Sequence, residues 1–207
     1  MAFTPYNAAL DLIARSRAIL AQADGSASAV AIDQRRLAVV MSVAALDTYM
    51  HRLILEKAYV HETLPGGLAA LSFRFDYALE QADAIGKAAR SKPKNSRPRV
   101  ELKKALRARL LQETFQRYED VSAALGMAGL SGNWSAIGAK LTPPLQPKEV
   151  AARLNAIVDR RNRIVHEGDY ERRERPQKST LNQISHAEAG ADIDFLACLI
   201  EAIHAVA

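Results

Sequence analysis

Three residues in the segment RRNRIVHEGDY, residues 160–170, have side chains suited to phosphate chemistry. Arg161, Asn162 and His166 supply a permanent cation, an amide and an imidazole. A guanidinium grips two phosphate oxygens with its planar fork and keeps its proton at physiological pH. An imidazole has an ordinary pKa of about 6.5, so it exchanges protons near neutrality. If they met, these groups could stabilise and protonate a phosphate ester.

The helix that must position these residues places a charge where an aliphatic side chain is expected. On an ideal helix of about 100° per residue, Arg161 lies in the middle of an apolar stripe formed by Leu154, Ile157, Val158 and Val165. Burying an unpaired arginine costs several kcal/mol, so two explanations remain. Either Arg161 pairs with a buried acid, or it faces a groove or subunit seam that needs positive charge.

A candidate acid lies in the most apolar stretch of the chain, LAVVMSVAALDTYMHRLILEKA, residues 37–58. Asp47 falls among the aliphatic residues of that predicted helix. Two opposite charges embedded in the apolar faces of two core helices predict a contact between Asp47 and Arg161. Asp159 is a weaker candidate partner for Arg161. The alternative is that one of the two charges faces solvent at the edge of its stripe.

His166 belongs to a second, polar face of the same helix, together with Asn155, Asp159 and Asn162. It lies about 140° around the helix from Arg161 and about 40° from Asn162. His166 and Arg161 converge if the helix unwinds near Val165, or if two copies of the helix face each other across a two-fold axis. By itself, a histidine in a last helical turn is most often a cap that compensates the helix dipole.

Positive charge is concentrated in one part of the chain. The net charge is +5, but residues 87–109 hold ten Lys or Arg residues and one acid, so this segment carries +9 and the remainder −4. Such a segment attracts phosphates, and Lys103, Lys104 and Arg107 are candidate RNA-binding residues within it. The alternative is a solvated loop and helix start without a ligand.

Hydrophobic periodicity predicts an all-α bundle in one domain, residues 1–207. About six helices are expected, with two long core helices, over residues 6–23, 28–61, 68–90, 99–126, 147–166 and 190–206. Residues 127–148 are expected to form a long loop, with or without a short helix inside it. The 49% apolar composition and low aromatic content agree with a soluble helical domain.

Several classes of protein are disfavoured by composition. The single cysteine, Cys198, cannot form an internal disulfide, and no Cys/His cluster predicts a zinc site. The longest apolar run, residues 37–46, is too short to span a bilayer, and the amino terminus does not resemble a signal peptide. We therefore expect a cytoplasmic protein without metal, cofactor or membrane association.

The sequence resembles the HEPN superfamily of all-helical domains at two short segments. The family hallmark is an arginine and a histidine separated by four to six residues, the first of which is usually polar. Here Arg161 and Asn162 precede His166 at the four-residue spacing, and NRIVHEG matches the frequent apolar–apolar–His–x–Gly ending. Upstream, VAALDTYMHRLI is similar to the second-helix signature, in which Asp47 takes the acid position.

The resemblance implies a metal-independent endoribonuclease that cleaves RNA by attack of the 2′-hydroxyl, leaving a 2′,3′-cyclic phosphate. His166 would perform acid–base catalysis, and Arg161 would stabilise the pentavalent phosphate. Asn162 would orient the imidazole or bind phosphate, and Asp47 would hold Arg161. Arg160 and Arg163 would bind backbone phosphates.

The family also implies a homodimer with a composite active site. Many members resemble toxins or phage-defence effectors, some with an antitoxin or another protein partner. Two alternatives stay open. The first is a non-catalytic module that binds RNA, a nucleotide or a partner, and the second is a structural helical protein.

Overall fold

The computed structural model describes most of the chain, and the account below is restricted to those residues: 4–23, 26–58, 65–71, 80, 82–83, 86–87, 90, 98–171 and 180–207. Eight helices are defined within them. They are α1 (Pro5–Gln22), α2 (Ala29–Lys57), α3 (Gly66–Ala69), α4 (Pro98–Leu110), α5 (Tyr118–Met127), α6 (Trp134–Ala139), α7 (Pro147–Glu167) and α8 (His186–His204).

Helix α2 is the centre of the bundle. It packs against α1, α8 and α7, and it also contacts α4 and α5. Its amino terminus is capped by Ser28, whose hydroxyl accepts the Ala31 N–H at 3.2 Å. Its fully buried residues follow one broad stripe: Val39, Val43, Leu46, Tyr49, Met50 and Ile54. The burial of this stripe explains the apolar character of the central part of α2.

Local capping signals define the two helices of the carboxyl-terminal half. Helix α7 begins with Pro147 and a Gln146 N–H that donates to Glu149 Oε2 at 2.7 Å. It ends at Gly168, whose φ of 62° is the left-handed conformation that glycine tolerates best. Helix α8 begins with a reciprocal capping box between Ser185 and Glu188. The pKa of Glu188 is lowered, first by its hydrogen bond from the Ser185 backbone.

The all-α prediction is confirmed. The helix expected over 99–126 is interrupted between α4 and α5, and the last helix begins at His186 instead of residue 190. The loop expected over 127–148 contains the short helix α6, which is one of the two forms expected for it. The interruption follows from a tertiary contact, because the Phe115 N–H donates to Asp47 Oδ1 of α2 instead of to a helical carbonyl. Most of the helix expected over 68–90 lies outside the described residues.

Among the described helices, α2 alone has the length and composition to cross a membrane. Its most apolar window has a mean hydropathy of 1.3, and 56% of that window is buried inside the protein. The apolar stretch is longer than the run over 37–46 indicates, and its burial is typical of a core helix.

Candidate functional site

Helix α7 carries the arginine–histidine motif at the end where its apolar stripe leaves the core. Leu154, Ile157 and Val158 are buried, whereas Val165 is 46% exposed. Arg161 lies between these two parts of the stripe and is half-buried. The carboxyl-terminal part of the stripe therefore belongs to the surface, and Arg161 stands at the boundary.

The side chain of Arg161 has no carboxylate partner among the residues that the structure describes. Its Nη1 donates to Asn162 Oδ1 at 3.0 Å. Adjacent residues are about 100° apart on a helix, so this bond turns the guanidinium from the apolar stripe towards the polar face. Since Asn162 and His166 are neighbours on that face, the guanidinium is drawn to the side of the helix that bears the imidazole.

The predicted contact between Asp47 and Arg161 is wrong. Asp47 Oδ1 accepts the Phe115 N–H at 2.6 Å and lies 3.8 Å from Nδ1 of His51. The carboxylate thus satisfies a main-chain donor in the segment between α4 and α5. Asp47 has a structural partner of its own, and its position in an apolar helix is explained without Arg161.

The alternative partner, Asp159, is also engaged elsewhere, because it forms an ion pair with Arg117. One turn earlier, Asn155 Oδ1 accepts the Tyr118 N–H at 3.0 Å, which satisfies a free donor at the start of α5. The first half of the polar face of α7 therefore holds α5 in place. Asn162 and His166 lie beyond this contact.

His166 is exposed in the last turn of α7, and the helix continues through it to Glu167. Unwinding near Val165, one of the two predicted routes to convergence, is therefore wrong. The backbone positions of Arg161 and His166 remain about 140° apart. Within one chain the motif presents its two groups on different sides of α7, and only the bend of Arg161 towards Asn162 reduces the separation.

A second charged cluster lies next to the motif, centred on Asp169. This residue is fully buried and has a φ of 58°. Its Oδ2 accepts from Arg36 Nε at 2.8 Å and from Arg160 Nη2 at 2.9 Å. Its Oδ1 and backbone oxygen accept from the side-chain amide of Asn182 at 3.2 and 3.0 Å. We call Arg36, Arg160, Asp169 and Asn182 the Asp169 cluster.

The Asp169 cluster fixes the end of α7 against α2 and the start of α8. Arg36 and Arg160 also donate to the Asn182 carbonyl oxygen, and Arg160 donates to that of Gln183. No sequence pattern indicates this cluster, because an aspartate after a helix-ending glycine is typical of an exposed turn. Arg160 was expected to bind phosphate, and the structure instead engages its guanidinium with an internal carboxylate.

The other predicted cations lie on the surface. Lys103, Lys104 and Arg107 are exposed on α4, and Arg163 is half-buried on α7. Arg163 lines a cavity of about 320 Å³ together with Arg160, Glu188 and Asp192. Burial raises the pKa of Asp192, while the charges of Arg153 and Arg160 oppose that rise.

The described residues contain no group of three or more His, Cys, Asp or Glu side chains placed to hold a metal ion. The end of α7 carries an imidazole, an amide and a guanidinium, from His166, Asn162 and Arg161.

Comparison with known proteins adds one finding to this geometry. A family model described as RiboL-PSP-HEPN matches residues 10–205. No curated protein and no solved structure matches the chain. Since the match spans nearly the whole sequence and agrees with the all-helical fold, the chain belongs to the RiboL-PSP-HEPN family of HEPN domains.

Proposed function

We propose that this protein is a metal-independent endoribonuclease whose active site is built from Arg161, Asn162 and His166. One observation carries the proposal. Arg161 stands half-buried at the edge of the core without a carboxylate partner in the described chain, and Asn162 holds its guanidinium on the side of His166. The two acids expected to form a buried ion pair with Arg161, Asp47 and Asp159, bind other partners instead. This geometry leaves the guanidinium available to an anion from outside the described residues.

The proposed site requires two copies of the chain. Helix α7 is regular through His166, so the backbone positions of Arg161 and His166 stay about 140° apart, and the bend of Arg161 towards Asn162 only reduces this separation. Two α7 helices facing across a two-fold axis bring Arg161 and His166 of both copies to one cleft. The exposed Val165, one turn after Arg161, provides apolar surface beside this cleft.

The chemistry is transesterification within the RNA strand. The 2′-oxygen attacks the adjacent phosphorus and loses its proton, the bond to the 5′-oxygen breaks, and that oxygen takes up a proton. Imidazoles of His166 accept and donate these protons. The guanidinium of Arg161 stabilises the additional negative charge on the equatorial oxygens, and Asn162 positions it through the Nη1–Oδ1 bond. The products are a 2′,3′-cyclic phosphate and a 5′-hydroxyl.

Backbone phosphates on either side of the cleaved bond contact the surface cations. We assign this role to Arg163 on α7 and to Lys103, Lys104 and Arg107 on α4, which are at least partly exposed. Arg160 is left out of this set because Asp169 holds its guanidinium at 2.9 Å. Asp47 is likewise removed from the catalytic set, since its carboxylate positions Phe115.

In the cell, such an activity in the cytoplasm suits a toxin or a phage-defence effector, held in check by an antitoxin or another protein. This setting rests on the family resemblance of the motif. Expression of the wild-type protein is then expected to arrest growth, whereas expression of His166→Ala is not.

The decisive experiment incubates purified protein with end-labelled single-stranded RNA in EDTA. Wild-type protein is expected to produce fragments with 2′,3′-cyclic ends, which mass spectrometry identifies as one water lighter than linear phosphates. His166→Ala is expected to lose at least 10²-fold in rate while retaining RNA binding. His186→Ala removes another exposed histidine, at the start of α8, and serves as the matched control. RNA binding without cleavage by the wild type would favour a non-catalytic module instead.

A further inference from the structure

A cavity between α2 and α4 lies apart from the proposed active site. Its volume is about 320 Å³. Thr48, His51 and Leu55 of α2 line one side, and Arg107, Leu110 and Leu111 at the end of α4 line the other. Asp47, which the proposed active site does not use, also lines this cavity.

The walls of the cavity are held by His51 and Asp47. The imidazole Nδ1 lies 2.8 Å from the Asp47 carbonyl oxygen, and Nε2 lies 2.9 Å from the Leu110 carbonyl oxygen at the end of α4. The ring also packs on Phe115 at a centroid distance of 4.7 Å. Because Asp47 binds the Phe115 N–H, both ends of the segment that closes the cavity are anchored to α2.

The lining combines apolar and polar surface, and its charged side chains are Asp47, Arg52 and Arg107. Leu111 is 70% exposed, so its side chain is accessible to a ligand in the cavity. The guanidinium of Arg107 has no hydrogen bond or ion pair within the described part of the chain, and it is exposed on the same face of α4 as Lys103. An apolar slot with a cationic rim matches a ligand that has a flat apolar part and an adjacent negative charge.

A nucleotide within a single RNA strand has this chemistry. An unstacked base presents an apolar face, and its phosphate presents the charge. The volume of the cavity is at the lower end of the range for small-molecule sites, which suits one nucleotide. A base paired within a duplex could not enter the slot.

The position of the cavity along α2 separates it from the cleavage site. The carboxyl-terminal end of α7 is fixed to α2 at Arg36 through Asp169. Asp47 is eleven residues further along α2, or about 16 Å at 1.5 Å per residue. That separation exceeds the length of one nucleotide.

We propose that this cavity binds one unpaired nucleotide of the RNA substrate at a distance from the scissile phosphate, with the base against Leu55 and Leu111 and the phosphate on Arg107. The proposal rests on the proposed ribonuclease function. Binding at this cavity would favour single-stranded RNAs that are long enough to reach from the active-site cleft to α4.

The test measures binding in the His166→Ala background, so it does not depend on cleavage. Fluorescence anisotropy is recorded with single-stranded RNAs of four and twelve nucleotides and with a twelve-pair duplex. Arg107→Ala is expected to reduce the twelve-to-four affinity ratio by about tenfold and to lower the salt slope of twelve-nucleotide binding by about one. Leu111→Ser is expected to reduce the same ratio by about fivefold without changing that slope, because it removes an apolar contact only.

Matched controls come from α1. Arg15→Ala removes an exposed arginine paired only with Asp11, and Leu10→Ser removes an exposed leucine. Thermal unfolding of every variant checks the fold. The proposal would be overturned by an equal loss of affinity for the four- and twelve-nucleotide RNAs. It would also be overturned if Leu111→Ser kept the wild-type affinity ratio, or if it weakened binding of the duplex as much as binding of the single strand. If wild-type protein cleaves no RNA but Arg107→Ala and Leu111→Ser still reduce the twelve-to-four affinity ratio, the proposed nuclease activity is wrong and the proposed nucleotide site is retained.

Discussion

Removal of the Asp169 carboxylate is expected to destabilise the protein more than removal of any exposed acid. The side chain of Asp169 is fully buried, and those of its partners Arg36 and Arg160 are 6% and 19% exposed. Asp169→Asn keeps the shape of the side chain and its tolerance of a positive φ. The substitution therefore isolates the loss of one buried negative charge between two guanidinium groups.

The expected loss is about 3 kcal/mol in the free energy of unfolding, near the lower end for a broken buried ion pair. The lower end applies because Arg36 retains Asp33 at 2.8 Å, and both arginines retain the Asn182 carbonyl oxygen. Asp169→Ala is expected to lose about 1 kcal/mol more, because alanine is strained at a φ of 58°. For a chain of this size, 3 kcal/mol corresponds to a decrease in Tm of about 6–12 °C.

Urea unfolding followed by circular dichroism, at one fixed protein concentration, measures these changes. Asp194→Asn is the matched control, because Asp194 pairs with Arg17 at 2.8 Å where both side chains are more than half exposed. Its expected cost is below about 1 kcal/mol. A loss in Asp169→Asn no larger than that of Asp194→Asn would show that the cluster adds nothing to stability and that the reasoning from burial is mistaken.

Two further substitutions test polar groups, the Tyr49 hydroxyl and the Asp192 carboxylate, whose burial raises their pKa. Tyr49 is fully buried, its hydroxyl has no hydrogen-bond partner among the residues that the structure describes, and burial raises its pKa strongly. Tyr49→Phe is therefore expected to leave stability unchanged or to raise it by about 1 kcal/mol. A loss above about 1 kcal/mol in thermal unfolding would reveal a partner for the hydroxyl. Burial also raises the pKa of Asp192 from its ordinary 3.8, so wild-type protein loses stability as the pH rises from that value through the folded-state pKa. Asp192→Asn is therefore expected to unfold at a higher temperature than wild type at pH 7 and at a similar temperature near pH 3, and a difference that is independent of pH would contradict this assignment.

The long helices could be predicted from the sequence because their periodicity and caps are local. Thr4 and Ser28 cap the first two helices, and Gly168 ends α7 as expected for a helix-ending glycine. Membership of the HEPN superfamily could likewise be inferred from a few residues at fixed spacing. The two-helix division of 99–126 could not, since it depends on an acid that lies far away in the chain.

The partners of the buried charges were beyond the reach of sequence reasoning. An acid in an apolar helix looks the same whether it binds a guanidinium or a main-chain amide, and Asp47 does the latter. Asp169 gathers Arg36 and Arg160, which come from two different helices, and no spacing within either helix indicates it. Periodicity identified Arg161 as misplaced in the apolar stripe, but only the three-dimensional contacts removed its candidate acids.

The straightness of α7 through His166 has a consequence for dosage. If each chain supplies only part of a cleft, the rate of cleavage depends on the square of concentration until pairing is complete. At a few molecules per cell the rate of cleavage would then be very low, while a modest rise in expression would increase that rate steeply. If the protein is the toxin proposed above, such a threshold would let the cell tolerate a low level of synthesis without an inhibitor on every copy.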